Sequence, residues 1–265
     1  MWINAAIINV CIITNLNWKN INSNLGLNIA YRLIEKVNPL ARLTIVVTSR
    51  TLPRAREVIK SIEKFVKKTN RPGIVDYDYL LVDFTSMVSI LNSYHDLQKQ
   101  YKEIHYFFVN AAQGVYDGID WIGATKQVCT NIINAVTYPT YRIQRVGVKS
   151  KDGMGLVFQA NVFGPYYLIQ KILPLLSAGK ASVVWVSSLM SDPKYLSLQD
   201  IQMIKSDATY EGSKRLVDLL HMASYKDMKK QNIHQYLVQP GIFISNSFSV
   251  YLNFFTYYSM LLLFY

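Results

Sequence analysis

The sequence predicts an α/β fold, a doubly wound parallel sheet flanked by helices in a single domain, and three observations carry the prediction. Near-continuous runs of β-branched and aromatic residues alternate with amphipathic stretches from one end of the chain to the other, the pattern of successive βαβ units. No repeat, low-complexity tract or Gly/Ser linker interrupts that alternation. The 265 residues, with 51% hydrophobic and 17% charged side chains, suffice for one sizeable core and lie far from the composition of disorder. Residues 1–265 are therefore read as one domain, with an atypical segment at 1–20 and an apolar end at 242–265.

Taken in order, MWINAAIINVCIIT lacks the basic start and the cleavage site of a signal peptide and reads as a first strand. Further strands are LTIVVT at 43–48, YDYLLVDF at 77–84, IHYFFVN at 104–110, ASVVWVSS at 181–188 and IHQYLVQP at 233–240. Each is continuous enough to be buried on both faces. Helical patterns occupy 27–37, 52–69, 86–101, 155–178 and 209–230. Right-handed crossovers between such strands place ligands at the carboxyl ends of the sheet, so the residues following each strand are the candidates for function.

Ser49-Arg50 follows the second strand. An arginine there reaches an adenosine 2′-phosphate, whereas an acid would accept the 2′-hydroxyl, so NADP is favoured over NAD. Asp83 follows the third strand and is read either as an acceptor for the adenine amine or as a helix cap. Asn110-Ala111-Ala112-Gln113-Gly114 follows the fourth, small enough for close approach to a ring or ribose and equally consistent with an ordinary turn. Asn161 sits within an apolar helical stretch, a position where asparagine commonly points to water. After the fifth strand come Ser187-Ser188, and the next helix opens with Tyr210-Glu-Gly-Ser-Lys214. Tyr and Lys four apart share a helix face, where an ammonium lowers the phenol pKa and gives a proton donor near neutral pH. Tyr225-Lys229 has the same spacing but lies turns further on, away from Ser188.

Together these residues resemble the short-chain dehydrogenase/reductase family, whose pattern runs through nearly the whole chain in order. The resemblance implies a Rossmann-type fold and hydride transfer between a nicotinamide cofactor and a carbonyl or alcohol carbon. It implies that Tyr210 protonates the carbonyl oxygen, Ser188 positions it, Lys214 binds the nicotinamide ribose, Asn161 completes a proton relay, and Pro240-Gly241 lines the nicotinamide. Leu25 and Gly26 would take part in the cofactor loop with Ser49, Arg50, Asp83, Asn110 and Ala111. The stretches LTIVVTSRTLPR, FVNAAQGVYDGIDWIGA, VSSLMSDPKYLSLQDI, YEGSKRLVDLLH and VQPGIF are similar to the 3-keto-steroid reductase subfamily of sterol C-4 demethylation. That similarity implies NADPH-dependent reduction of a 3-oxo sterol to the 3β-alcohol, at the endoplasmic reticulum membrane as a peripheral protein and at lipid droplets. Other sterol C-4 demethylation enzymes and oxidosqualene cyclase would be its partners.

Two departures accompany the resemblance. The positions of the family's glycine-rich loop read Lys19-Asn20-Ile-Asn-Ser-Asn24-Leu25-Gly26, with only Gly26 retained, and Ile244 stands where the wider family often has threonine. The segment between Ser188 and Tyr210 is longer than usual, a feature this subfamily shares. Within it Ser197 and Asp200 suggest a capping box opening a short amphipathic helix.

Composition weighs on the alternatives. Two cysteines, Cys11 and Cys129, without a CxxC pair indicate neither a disulfide framework nor a zinc ribbon, and no metal is expected. The net charge of +11 includes Arg50, Arg54, Arg56, Lys60, Lys64, Lys67, Lys68 and Arg71, read as a solvated helix face, and no nucleic-acid motif accompanies it. From Gln231 onward there is no Lys, Arg, Asp or Glu, and VYLNFFTYYSMLLLFY is too short to span a bilayer but suits a membrane interface. Competing functions are a cofactor-impaired, non-catalytic partner in a sterol-synthesis complex and a reductase of another lipophilic ketone, such as a 17-keto steroid or retinal.

Overall fold

A computed structural model describes residues 8–13 and 25–241. The segment containing Lys19, Asn20 and Asn24, as well as Ile244 and the rest of 242–265, lies outside the described residues. Along the chain come β1 (Ile8–Ile13), α1 (Leu25–Lys36), β2 (Arg42–Ser49), α2 (Leu52–Thr69), β3 (Val75–Leu81), α3 (Met87–Gln100) and β4 (Tyr106–Val109). An excursion follows: β5 (Tyr116–Ile119), α4 (Trp121–Thr130), α5 (Ile132–Thr137) and β6 (Arg142–Gln144). A broken helix comes next, made of α6 (Leu156–Phe158), a π-helical turn Gln159–Phe163, α7 (Gly164–Lys171) and α8 (Leu173–Ala178). The chain then forms β7 (Ser182–Val186), α9 (Thr209–Lys230) and β8 (His234–Val238).

Six strands form one parallel sheet in the order β3-β2-β1-β4-β7-β8. The strand order reverses between β1 and β4, which opens a crevice at the carboxyl ends on either side of that point. Side chains alternate across the sheet. On one face Leu43, Ile45 and Val47 pack with Leu27, Ala30 and Ile34 of α1 and Val58 and Ile62 of α2. On the other, Val46, Phe107, Val109, Val183 and Trp185 pack with Ile90, Leu97, Leu168, Ile169 and Val217 from α3, α7 and α9. The expected doubly wound α/β class is the one observed.

Several elements differ from expectation. The edge strands β3 and β8 are not buried on both faces, since Tyr79, Leu81, Tyr236 and Val238 are exposed; an edge strand has a neighbour on one side only. The helix expected over 155–178 is interrupted twice. Pro165 has no N–H to offer the carbonyl of Asn161 and its ring crowds that carbonyl, so the turn before it widens to π geometry. Pro174 does the same to the α7–α8 junction, where Ile172 takes φ −97° and ψ 12°. Ser197 and Asp200 make no α-helix. Ser197 Oγ accepts from Gln199 N at 3.3 Å and starts a single 3₁₀ turn, while the Asp200 carboxylate faces forward and accepts from Ile204 N and Lys205 N.

Arg71 also departs from the solvated row it was assigned to. It lies beyond the end of α2, and its guanidinium donates to the carbonyls of Ile34, Val37, Asn38 and Ala41 at 2.5–3.0 Å. Ile34 lies in the last turn of α1 and the other three follow the helix, so one cation satisfies an acceptor that the helix leaves open and three in the connection to β2. Arg56, Lys60, Lys64, Lys67 and Lys68 do lie exposed along α2.

Candidate active site

The π turn places Asn161 side-on to the carboxyl end of β4. Its side chain is 3% exposed, so it does not point to water. Oδ1 accepts from Gln113 N at 2.7 Å, and Nδ2 donates to Gln113 O at 2.8 Å and to Ser213 Oγ at 2.9 Å. One amide thereby ties the Asn110–Gly114 turn to α9. The backbone pair to Gln113 is the kind of contact a strand partner would make, here supplied by a side chain.

Helix α9 begins beside β7. Lys214 is buried, and its Nζ donates to Val186 O at 2.7 Å at the carboxyl end of that strand. Burial pushes the Lys214 ammonium down to about 8, partly opposed by the charge of Asp218 one turn on. Asp218 in turn accepts from Ser187 Oγ, so the first serine after β7 anchors the helix. Ser188 hydrogen-bonds the Tyr210 hydroxyl, and Lys214 Nζ lies 5.7 Å from the Tyr210 ring centre. Burial raises the Tyr210 pKa, the neighbouring Glu211 charge raises it further, and the Ser188 bond and the Arg142 charge pull it back. Lys214 is not among the charges that move this phenol, and burial outweighs the groups that lower its pKa. The result is a phenol that stays protonated at neutral pH, which is the form a proton donor needs. Tyr225 is half-exposed and stacks on His221, turns away from this cluster.

Four further residues stand near Tyr210. The β5–β6 pair, antiparallel with Tyr116 opposite Gln144, stands against the start of α9. Gln144 is 8% exposed; its Oε1 accepts from Thr209 Oγ1 at 2.8 Å and from Tyr210 N at 2.9 Å, and its Nε2 donates to buried Glu211. The Arg142 guanidinium hydrogen-bonds the Tyr116 phenol, whose pKa burial pushes up. Of the four, Glu211 could have been found, since it is the one charge inside the Tyr210–Lys214 interval. The short strands around Tyr116, Arg142 and Gln144 leave no periodicity to find.

A match to the short chain dehydrogenase family model over residues 22–250 decides the affiliation. The chain belongs to the short chain dehydrogenase family. Among its relatives, the 3-keto-steroid reductase of Candida glabrata is 73% identical over 244 residues, covering 92% of this chain and 70% of that protein. The 3-keto-steroid reductase of Kluyveromyces lactis is 72% identical over 244 residues with the same coverage. The solved Pseudomonas aeruginosa RhlG/NADP active-site complex superposes with a TM-score of 0.59 at 16% identity, over 91% of this chain and 75% of that one, a likeness of fold.

For a short chain dehydrogenase the remaining sequence candidates fall along the same sheet edge. Leu25 and Gly26 open α1 after β1, with Gly26 buried. Ser49 is buried at the end of β2, where its Oγ accepts from Thr51 N, and Arg50 beside it is exposed. Asp83 follows β3; Oδ1 accepts from Thr85 N at 2.9 Å and Thr85 Oγ1 at 2.7 Å, so one carboxylate oxygen serves a local turn. Asn110 and Ala111 close β4, with Ala111 4% exposed. Pro240 and Gly241 follow β8 and are exposed, Gly241 at φ 72° with open space where a Cβ would stand. The long segment between Ser188 and Tyr210 packs on α9 because Gly212 has no side chain: a Cβ there would lie 2.7 Å from Tyr195 O and from Met203 Sδ.

Proposed function

We propose that this short chain dehydrogenase is an NADPH-dependent 3-keto-steroid reductase that converts a 3-oxo sterol to the 3β-hydroxy sterol. The observation that carries the reading is the identity of 73% to a protein named 3-keto-steroid reductase, in a chain that juxtaposes a protonated Tyr210, Ser188 and a buried Lys214. The cationic groups present fit a dinucleotide: Lys214, whose Nζ lies at the end of β7, is a donor whose own hydrogen bond leaves further protons for ribose hydroxyls, and Arg50 at the end of β2 is exposed. When bound, NADPH supplies hydride to the carbonyl carbon. Tyr210 gives its phenolic proton to the carbonyl oxygen, and Ser188 donates a hydrogen bond to that oxygen as negative charge develops. Lys214 holds the cofactor ribose. Asn161 fixes the β4 turn and α9 at their working separation. Proton and hydride together convert C=O to CH–OH.

A sterol substrate enters from lipid, and a peripheral position at the endoplasmic reticulum membrane and lipid droplet suits that supply. The apolar stretch 242–265 and the exposed Trp121, Ile122 and Ile133 on α4 and α5 favour such an interface. No helix among the described residues is long and apolar enough to cross a membrane. The other sterol C-4 demethylation enzymes and oxidosqualene cyclase are the proposed partners.

The test is direct. NADPH titration by fluorescence on the full chain, with 2′-AMP as competitor, precedes a 3-oxo sterol reduction assay with Tyr210→Phe as the control. Saturable NADPH binding and Tyr210-dependent 3β-alcohol formation are expected. Absence of NADPH binding, restored by placing Thr-Gly at Lys19-Asn20 and Gly at Asn24, would favour the cofactor-impaired partner reading instead. Turnover of 17-keto steroids or retinal without 3-oxo sterols would reassign the substrate.

A further inference from the structure

We propose that Gln144 is a positioning residue for the proton donor, holding the first turn of the catalytic helix from the inserted β5–β6 pair; the inference rests on Tyr210 being that donor. The first amides of a helix have no acceptor within the helix and call for a cap. The residue at the cap position of α9 is Ala208, which offers no side-chain acceptor. Gln144, 66 residues away, supplies it, accepting from Tyr210 N at 2.9 Å and from Thr209 Oγ1 at 2.8 Å. The same amide donates to Glu211. Three consecutive residues, with Tyr210 in the middle, are thus held by one side chain that is itself 8% exposed.

The arrangement links two parts of the chain that the six-stranded sheet does not connect. Among the described residues β5 and β6 pair only with each other. Their register continues in the bond from Arg145 N to Val115 O, and Gly147 N then donates to Ile204 O in the segment leading into α9. Gln144 is the point where this excursion meets the donor. Its amide is needed with both polarities at once, an acceptor for Tyr210 N and a donor for the Glu211 carboxylate, so neither a carboxylate nor an apolar side chain at 144 satisfies both.

Exchange of the two groups provides the test. Gln144→Leu removes the acceptor and strands Glu211. Gln144→Glu sets two carboxylates against each other. The double variant Gln144→Glu/Glu211→Gln restores every bond with the amide and carboxylate interchanged. On the full chain, amide hydrogen exchange at Tyr210 and steady-state reduction of a 3-oxo sterol are measured well below each variant's melting temperature. Expected are accelerated exchange at the Tyr210 amide in Gln144→Leu, kcat lowered about tenfold to a hundredfold in both single variants, as for ångström-scale misplacement, KM for NADPH unchanged, and recovery in the double variant. Wild-type exchange and kcat in Gln144→Leu overturn the proposal, as does a loss that the double variant does not recover. Should Gln144→Leu fail to fold, Gln144→Glu beside the double variant decides by the same criterion. If the wild-type chain reduces no ketone, the functional reading fails separately, and amide exchange still reports whether Gln144 caps the helix.

Discussion

The two halves of the sheet's carboxyl edge are held together in different ways. On the β4–β7 side, the polar side chains are fixed by bonds to distant parts of the chain: Asn161 to Gln113 and Ser213, 48 and 52 residues away, Lys214 to Val186, 28 away, and Tyr210 N to Gln144, 66 away. On the β2–β3 side the side-chain bonds of Ser49 and Asp83 are local, to Thr51 and to Thr85, each two residues apart. The first half therefore exists only once the fold has assembled and places reacting groups relative to one another. The second is a set of turns presenting charge at an exposed rim. Damage to the first should appear in kcat and in stability, and damage to the second in cofactor preference.

The largest effect expected on the assembled side is that of Tyr210→Phe. Loss of the phenolic proton removes general acid catalysis and lowers kcat by about 10²–10⁴-fold. The ring remains, so the melting temperature and the NADPH dissociation constant should stay near wild type. A comparable loss of NADPH affinity would show that Tyr210 holds the cofactor more than it moves a proton.

Asn161→Leu separates assembly from chemistry. The substitution breaks three hydrogen bonds and leaves the half-buried Gln113 N–H and C=O without this partner, at up to about 1–3 kcal/mol for each group left unsatisfied, while Ser213 Oγ keeps its bond to Tyr210 O. A melting temperature several degrees lower, with faster amide exchange at Gln113, is expected alongside reduced turnover. Unchanged stability would mean that the β4 turn and α9 hold their separation without this amide.

How much of this was legible in the sequence follows the same division. Buried strands and long amphipathic helices announce themselves through periodicity, and the helices at 52–69 and 209–230 match α2 and α9 residue for residue. The candidate residues at the strand ends could be picked out because the topology fixes where strand ends lie. Breaks in the 155–178 helix were legible in principle, since Pro165 and Pro174 stand in the sequence. Gln144 was not. Nothing in a three-residue strand marks one amide as the cap of a helix 66 residues on, because that contact is a property of the assembled fold. Arg71 misled for the same reason: spacing placed it with its basic neighbours, while the closure of α1 against the start of β3 gave it four carbonyls.

On the exposed side, Arg50→Glu should leave stability and kcat with saturating NADPH little changed. A charge-assisted bond to the 2′-phosphate is worth roughly 1.5–3 kcal/mol, so preference should move about tenfold to a hundredfold from NADPH towards NADH. Separate KM values for the two cofactors check it. An unchanged ratio would place phosphate recognition elsewhere on the β2–β3 rim.

Lys214 bears on both halves, being fixed by β7 and proposed to hold the cofactor ribose, and its titration sharpens the contrast with the smallest effect. In the cofactor-free fold its pKa stands at about 8 because burial disfavours the ammonium, whereas in the unfolded chain it lies near the ordinary lysine value of about 10.4. Below pH ~8 both states bind the proton and the folded state carries the full penalty. Between pH ~8 and ~10.4 the unfolded state binds more protons, so this group's contribution makes stability rise with pH, and above that window the penalty is gone. Cofactor affinity runs the other way. An ammonium beside an anionic dinucleotide is favoured, so the NADPH dissociation constant should increase as pH rises through about 8, by at most about tenfold per pH unit. Melting curves and NADPH titrations from pH 7 to pH 10 on wild type and Lys214→Met give both slopes by difference. Opposite signs that vanish together in Lys214→Met assign them to this one nitrogen. A wild-type affinity as flat with pH as that of the variant would show that the ammonium enters the site already charged and that the fold, rather than the cofactor, fixes its proton.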